Sequence, residues 1–346
     1  MRLILILFTA LLLSACDSKP SAQVFKIHGN TMGTQYHISW VGTNQNQSAT
    51  LQKEVEARLI AINKSMSTYD PTSELSLLNQ EVLEKDKDGW TPISSDLAEV
   101  LNMSLNVWHT SQGGFDVTVG PLVNLWGFGP TARAEHTPTN EEIAAKLAQV
   151  GSENIDLDVL LQRVRLKSSL YIDLSAVAKG WAVDELAELI EQQGIESYMA
   201  EIGGEIRAQG LKANGQPWRI AIERPQYNLG QDIALVIELD RQGIATSGSY
   251  RNYFEEDGMR FSHTIDPKTG HPINHKLASV TVVHPSTGMA DAWATAITVA
   301  GPEKGLQLAE DNQLAVFMLV GDGDSFKEVA TSEFIKKYPQ IKEGRK

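Results

Sequence analysis

The sequence predicts an α+β fold: a single catalytic unit of two lobes, with mixed or antiparallel sheets flanked by helices. Two observations predict it. Segments whose apolar residues recur at helical spacing alternate irregularly with segments that alternate like strands. Short glycine-bearing turns also join strand-like runs in pairs. Residues 24–27 and 35–40 flank Gly29 and Gly33, and residues 198–202 and 205–209 flank Gly203-Gly204. A 346-residue chain that is 42% hydrophobic and 21% charged can bury a large core in one domain or two. It has no internal repeat.

The N-terminus has its own logic. Arg2 precedes an apolar run over residues 3–13, too short to span a bilayer as a helix. Leu13-Ser14-Ala15-Cys16 follows. This reads as a lipoprotein signal peptide over residues 1–15, with Cys16 as the acylated N-terminus. Residues 16–23 read as a lipidated tether and residues 24–340 as the catalytic domain. Asp17 resembles the signal that retains such proteins at the inner membrane, so the expected location is its periplasmic face. Cys16 is the sole cysteine, which excludes an internal disulfide. A net charge of -13 excludes a general attraction for nucleic acid or for an anionic membrane surface. Phosphate would have to be held locally, by a metal, backbone amides or single basic groups.

Taken in order, residues 51–62 place apolar side chains at 51, 55, 59 and 62, a helix that Asp70-Pro71 stops. Ser73 is placed to cap the next short helix. Tyr69, on the loop between, can stack on a flat ring or pack at a helix end. Residues 95–110 form a helix with Leu97, Val100, Leu101, Leu105 and Trp108 as its expected buried face. The glycine- and aromatic-rich run from 113 to 130 reads as a shaped loop. Residues 140–150 read as a helix capped by Thr139 or Asn140. Residues 170–174 read as a strand that runs through Asp173 into a helix beginning near Ala178-Lys179-Gly180. Free amides at that helix start, with Lys179 as a point charge, suit an anionic group. Residues 261–265 read as a strand carrying His263, either a base for a hydroxyl nucleophile or a structural histidine.

Asp291-Ala292-Trp293-Ala294-Thr295 opens an apolar helical pattern after a strand at 279–283 and a turn. Asp291 and Thr295 are four apart, so a helix stacks them on one face. A carboxylate and a hydroxyl so placed can share a hard cation such as magnesium, which also holds substrate phosphates. The same residues fit an acid that caps the helix or sits in its first turn.

In combination these segments resemble the ApbE family, the FAD:protein FMN transferases. The resemblance covers nearly all of the chain from about Phe25. It rests on Thr31-Met32-Gly33-Thr34, Met66-Ser67-Thr68-Tyr69, Ser73-Glu74-Leu75 with Asn79, and Phe115-Asp116-Val117-Thr118-Val119-Gly120-Pro121. It continues through Asp173-Leu174-Ser175-Ala176-Val177-Ala178-Lys179-Gly180, Gly203-Gly204, Thr246-Ser247-Gly248, His263-Thr264-Ile265-Asp266-Pro267 and Asp291 to Thr295. Glu201 stands where many members carry asparagine, and Ala176 where some carry threonine.

The resemblance implies magnesium-dependent transfer of the FMN part of FAD to a threonine or serine hydroxyl of a protein, with release of AMP. It implies FAD in a cleft between the lobes, against Met32, Tyr69, Phe115, Asp116, Val117, Asp173, Lys179 and Ile265. It implies magnesium on Asp291, Thr295 and the Ala176 carbonyl. His263 is the expected base, with Asp291 as a second catalytic group. The implied acceptors are subunits of the sodium-translocating NADH:quinone reductase or of an Rnf-type complex. Three other readings stand beside it: an FAD pyrophosphatase, a flavin-binding lipoprotein without chemistry, and a structural envelope lipoprotein.

Overall fold

The computed structural model describes residues 22–45, 47–130, 137–225, 232–248, 253–256, 259–323 and 325–342. Cys16, the expected signal peptide and most of the expected tether lie outside them.

The chain opens with a hairpin of β1 (Gln23–Thr31) and β2 (Thr34–Gly42). Its two-residue turn, Met32-Gly33, has φ of 47° and 71°. Two positive values match the twist of the flanking strands. Helix α1 (Gln47–Met66) buries Leu51, Val55, Leu59 and Ile62, the expected stripe. Ser73 caps α2 (Glu74–Asn79) by accepting from the Ser76 amide. After β3 (Thr91–Pro92), helix α3 (Ser95–Thr110) runs over the expected span. Its buried face differs in its last turns: Ser104 and Val107 are buried there, while Leu105 and Trp108 are half-buried.

Helix α4 (Gly120–Leu125) begins with Pro121 in its first turn. Helix α5 (Asn140–Leu147) is held by a reciprocal capping box between Thr139 and Glu142 and ends three residues earlier than expected. Strands β4 (Ile155–Asp158) and β5 (Arg163–Leu166) pair, and β3 joins them in a small sheet. The expected strand at 170–174 is absent. That segment pairs with no strand; its Ile172 N–H and carbonyl are both held by the Asn79 side chain, at 2.8 and 2.9 Å. The Asp173 amide donates to the Val117 carbonyl at 2.7 Å. One amide side chain thus supplies the bonds a ladder would have made.

Helix α6 (Ala178–Gln192) leads to β6 (Tyr198–Ile202) and β7 (Glu205–Gln209). A separate hairpin, β8 (Trp218–Glu223) and β9 (Ile233–Leu239), precedes β10 (Gln242–Gly248). The short pair β11 (Tyr253–Glu256) and β12 (Met259–Ser262) follows. Then come β13 (Leu277–His284), α7 (Thr287–Ala300) and α8 (Pro302–Asp311). The described chain closes with β14 (Ala315–Asp322), β15 (Ser325–Ala330) and α9 (Ser332–Lys337).

Eight strands form the main sheet in the order β1-β2-β6-β7-β10-β13-β14-β15. Each of its ladders is antiparallel. The strand period of two sends alternate residues to two cores. Val280, Val282, Val316 and Met318 face the larger core, with α1, α3, α6 and α7. Val283, Ala315, Phe317 and Leu319 face the other, with the β8–β9 hairpin and α9. A third, small core of Leu122, Trp126, Ile143 and Ile265 builds a separate lobe around α4 and α5. The Trp126 indole N–H donates to the Gly270 carbonyl at 2.9 Å and locks that lobe.

Helices α6 and α7 cap each other. The Gly180 amide, in the first turn of α6, donates to Asp291 Oδ2 of α7 at 3.1 Å. Asp184 Oδ2 of α6 in turn accepts from the Gly288 amide at 3.1 Å and from the Ser286 hydroxyl at 2.9 Å, at the start of α7. Each carboxylate satisfies orphan donors at the positive end of the other helix. Ser286 is the N-cap of α7, so Asp291 lies in the second turn and the capping reading for its own helix does not hold. The approach requires glycine. A Cβ at Gly180 would lie 2.4 Å from the Thr287 carbonyl oxygen, and one at Gly243 would lie 2.3 Å from Thr287 Oγ1.

Arg207 completes the joint, with Nη1 2.8 Å from Asp184 Oδ1. Asp184→Asn should lower stability by about 2 kcal/mol, less than for a fully buried pair because both side chains keep some solvent contact. Urea denaturation of the variant beside Glu188→Gln, an exposed change on the same helix, measures it.

Candidate functional site

One cleft of about 1200 Å³ collects the site residues expected from sequence. Met32, Tyr69, Phe115, Asp116, Val117, Asp173, Ala176, Lys179, His263, Ile265, Asp291 and Thr295 all line it. The small lobe supplies Val119, Val123, Phe128 and Ile265 to one wall, and α6, α7, β7 and β10 supply the other. Their chain positions run from 32 to 295, so only the fold brings them together.

The loops reach the cleft by identifiable means. Met32 sits at φ 47°, a left-handed conformation that side chains other than glycine rarely hold. Tyr69 is 67% exposed on the rim. Its loop is nevertheless fixed: Ser67 Oγ accepts from the amides of Tyr69 and Asp70, and the Ser67 carbonyl accepts from the Ser73 and Ser76 hydroxyls. Lys64 bonds Asp70 at 2.6 Å and, with Thr72, holds that carboxyl down at about 2. Asp116 is committed to its own loop, accepting from the amide and hydroxyl of Thr118 and of Ser152. It therefore shapes the Phe115–Val117 turn, and any ligand it meets would share an engaged carboxylate. Asp173 Oδ1 likewise holds the amide and hydroxyl of Ser175.

The charged centre lies where α6, α7 and β7 meet. Lys179 Nζ is 3.6 Å from Asp291 Oδ2 and 3.5 Å from Glu205 Oε1. Burial alone would push the ammonium down, but the Asp291 and Glu205 carboxylates outweigh it and raise the pKa. Burial pushes the Glu205 carboxyl up, against the pull of Lys179. Glu205 was not singled out in the sequence. An acid directly after Gly203-Gly204 at the start of a strand was the available signal; its burial, at 5% exposure, was not. Its Oε2 has no hydrogen-bond partner among the described residues.

Glu201, the departure from the family pattern, is a structural brace. It accepts from the Gly204 amide at 2.8 Å and pairs with His37 Nδ1 at 2.6 Å, which fixes the glycine turn. The amide site expected at the start of α6 is partly used by protein, since Gly180 donates to Asp291. His263 projects into the cleft with its ring edge-on to Phe128, centroids 6.3 Å apart.

Among the described residues no three His, Cys, Asp or Glu side chains gather as a metal site. A cation here would instead take one carboxylate, from Asp291, with the Thr295 hydroxyl and the Ala176 carbonyl. All three residues line the cleft, and Asp291 and Thr295 stand one turn apart on α7. An all-oxygen set with room for water and phosphate fits magnesium.

The cleft sets a buried lysine and two carboxylates opposite apolar and aromatic surface, as a site for a large anionic, ring-bearing ligand requires. The chain belongs to the ApbE family, whose model matches residues 32–318, and it is a flavin transferase. It is 44% identical over 341 residues to a Haemophilus influenzae protein called FAD:protein FMN transferase, covering 96% of each chain. A Vibrio cholerae protein of the same name is 45% identical over 337 residues, covering 96% of this chain and 98% of that one. The structure called Flavin Transferase ApbE from Vibrio cholerae superposes with a TM-score of 0.83 at 43% identity, over 91% of this chain and 99% of that one.

Met32 gives a separable test. Met32→Gly relieves the left-handed strain, so the thermal midpoint should hold or rise. It also removes a thioether from the cleft wall, so a flavin seated there, as the resemblance implies, should bind about fivefold more weakly, the worth of about 1 kcal/mol of apolar contact. Flavin fluorescence titration and a thermal melt on one preparation measure both.

Proposed function

We propose that this cleft transfers the FMN part of FAD to a threonine or serine hydroxyl of an acceptor protein and releases AMP, with magnesium bound. The convergence of the expected binding, metal and base residues on one cleft carries this reading. Family membership favours an enzyme over a flavin carrier without chemistry or a structural lipoprotein.

The residues divide the work. Met32, Tyr69, Phe115, Val117 and Ile265 offer apolar and aromatic surface for the flavin, and Asp116 and Asp173 fix the loops beside it. Lys179 offers a permanent positive charge to the pyrophosphate. Asp291, Thr295 and the Ala176 carbonyl would hold magnesium, which would supply charge neutralisation for the phosphate groups. His263 accepts the hydroxyl proton as the acceptor oxygen bonds to the FMN phosphorus. The bond from that phosphorus to the bridging oxygen breaks, and the oxygen leaves with AMP. In-line transfer needs positioning and charge neutralisation more than covalent help from the enzyme. With water in place of the hydroxyl, the same site would act as an FAD pyrophosphatase.

The N-terminal signal supports a further part of the reading. Acylation at Cys16 would hold the enzyme at the inner membrane, facing the periplasm. There it would meet acceptor subunits of a sodium-translocating NADH:quinone reductase or an Rnf-type complex.

Incubation with FAD, magnesium and such a subunit should give covalent flavin fluorescence on the acceptor and an equal amount of AMP. AMP without labelled acceptor would favour the pyrophosphatase. Asp291→Asn keeps an oxygen for the Gly180 amide but loses the ion pair with Lys179, so its thermal midpoint should fall modestly while magnesium affinity and labelling are lost. His263→Ala should slow labelling by about 10²–10⁴-fold, the usual worth of a general base, and flatten the acid limb of the pH–rate profile. Normal labelling by His263→Ala would remove it from the mechanism.

A further inference from the structure

Strand β10 is longer than one of its neighbours. It pairs with β13 from Gly243 to Gly248, but with β7 only from Gln242 to Ile244. β7 begins at Glu205, directly after the Gly203-Gly204 turn. Past Ile244, the edge of β10 on the β7 side has no ladder partner among the described residues. Thr246, Ser247 and Gly248 line the cleft there, beside Gly203, Gly204 and Glu205. The lane that β7 would have filled is therefore cleft.

In an antiparallel ladder successive residues turn their backbone groups to opposite sides. Two of the four residues from Ala245 to Gly248 thus present both an N–H and a C=O to the open lane. Thr246 is exposed there and Ser247 and Gly248 are half-buried, so this stretch is open to an incoming chain, and an open strand edge is a template for an added strand. A ligand that displaces water from these carbonyls must bring donors, which a pyrophosphate does not carry. An extended polypeptide supplies donors and acceptors at the same two-residue repeat.

We propose that the acceptor polypeptide enters the cleft as an extended strand paired antiparallel or parallel to the open edge of β10, between Ala245 and Gly248. The added strand continues the lane of β7 past the Gly203-Gly204 turn, and so brings its hydroxyl toward Lys179 and Asp291. Main-chain pairing sets the register, and side chains on either side of the hydroxyl are read in alternation. This rests on the reading of the cleft as a protein flavinylation site.

The probe is a threonine-containing peptide selected from a random library by its covalent flavin fluorescence with the parent enzyme. If no peptide or protein is labelled, the flavinylation reading itself fails. With a labelled peptide in hand, its backbone amides are N-methylated one at a time. The expected result is a penalty at every second position near the threonine, about tenfold in KM for each lost bond, with kcat little changed.

Thr246→Pro and Ser247→Pro then locate the edge. Only one of these N–H groups faces the lane; the other belongs to the β13 ladder, and proline there should lower the thermal midpoint. The variant that melts normally should raise peptide KM about tenfold, because it removes the N–H that donates to a peptide carbonyl, and should leave the N-methyl penalties, which report on the β10 carbonyls, in place. Uniform or absent N-methyl penalties, or a normally melting variant that weakens FAD binding and leaves peptide KM unchanged, would overturn the proposal.

Discussion

The mutual capping of α6 and α7 is the constraint on which the rest depends. Asp291 closes the start of α6 and Asp184 closes the start of α7. A helix end packed inside a protein must find partners for its first amides. Here each helix takes them from the other, so neither can be placed alone. Gly180 and Gly243 let the start of α7 press onto α6 and β10. Lys179, Asp291 and Glu205 come to lie together because of this contact, and the centre of the cleft is its direct product.

Around that joint the sheet divides the work. Its two faces lie in the two cores, and β10 is shared between them, with Ala245 in one and Ile244 in the other. A strand clamped on both faces is a rigid support for a site. The small lobe around Trp126 has a core of its own. It meets the main body across the cleft, so the aromatic wall and the charged floor belong to separately packed units.

Much of this was legible along the chain. Helices α1 and α3 followed from spacing, and the hairpins from glycine turns between alternating runs. The site residues followed from resemblance, and the fold gathers them. What was not legible depended on partners distant in sequence. Residues 170–174 have strand composition, yet Asn79 satisfies them in place of a neighbouring strand. The alternative of a helix-start acid at Asp291 fails because Ser286, five residues earlier, takes the cap, which the spacing of the turn alone does not reveal. Glu205 and Asp184 read as ordinary strand-entry and helix acids. Their burial comes from elements more than twenty residues away, such as Arg207 beside Asp184 and Lys179 beside Glu205. Leu105 and Trp108 fit the helical stripe, but the curve of the core takes Ser104 and Val107 instead.

Asp291 has one further consequence, for how this lineage can change. The residue proposed to hold the cation is also the one that finishes a neighbouring helix. A descendant that abandons the chemistry cannot discard the side chain without first refitting the start of α6. Decay of activity should therefore begin elsewhere, at cleft positions that do not finish a helix. A paralogue that retains this aspartate has not thereby shown that it retains the reaction.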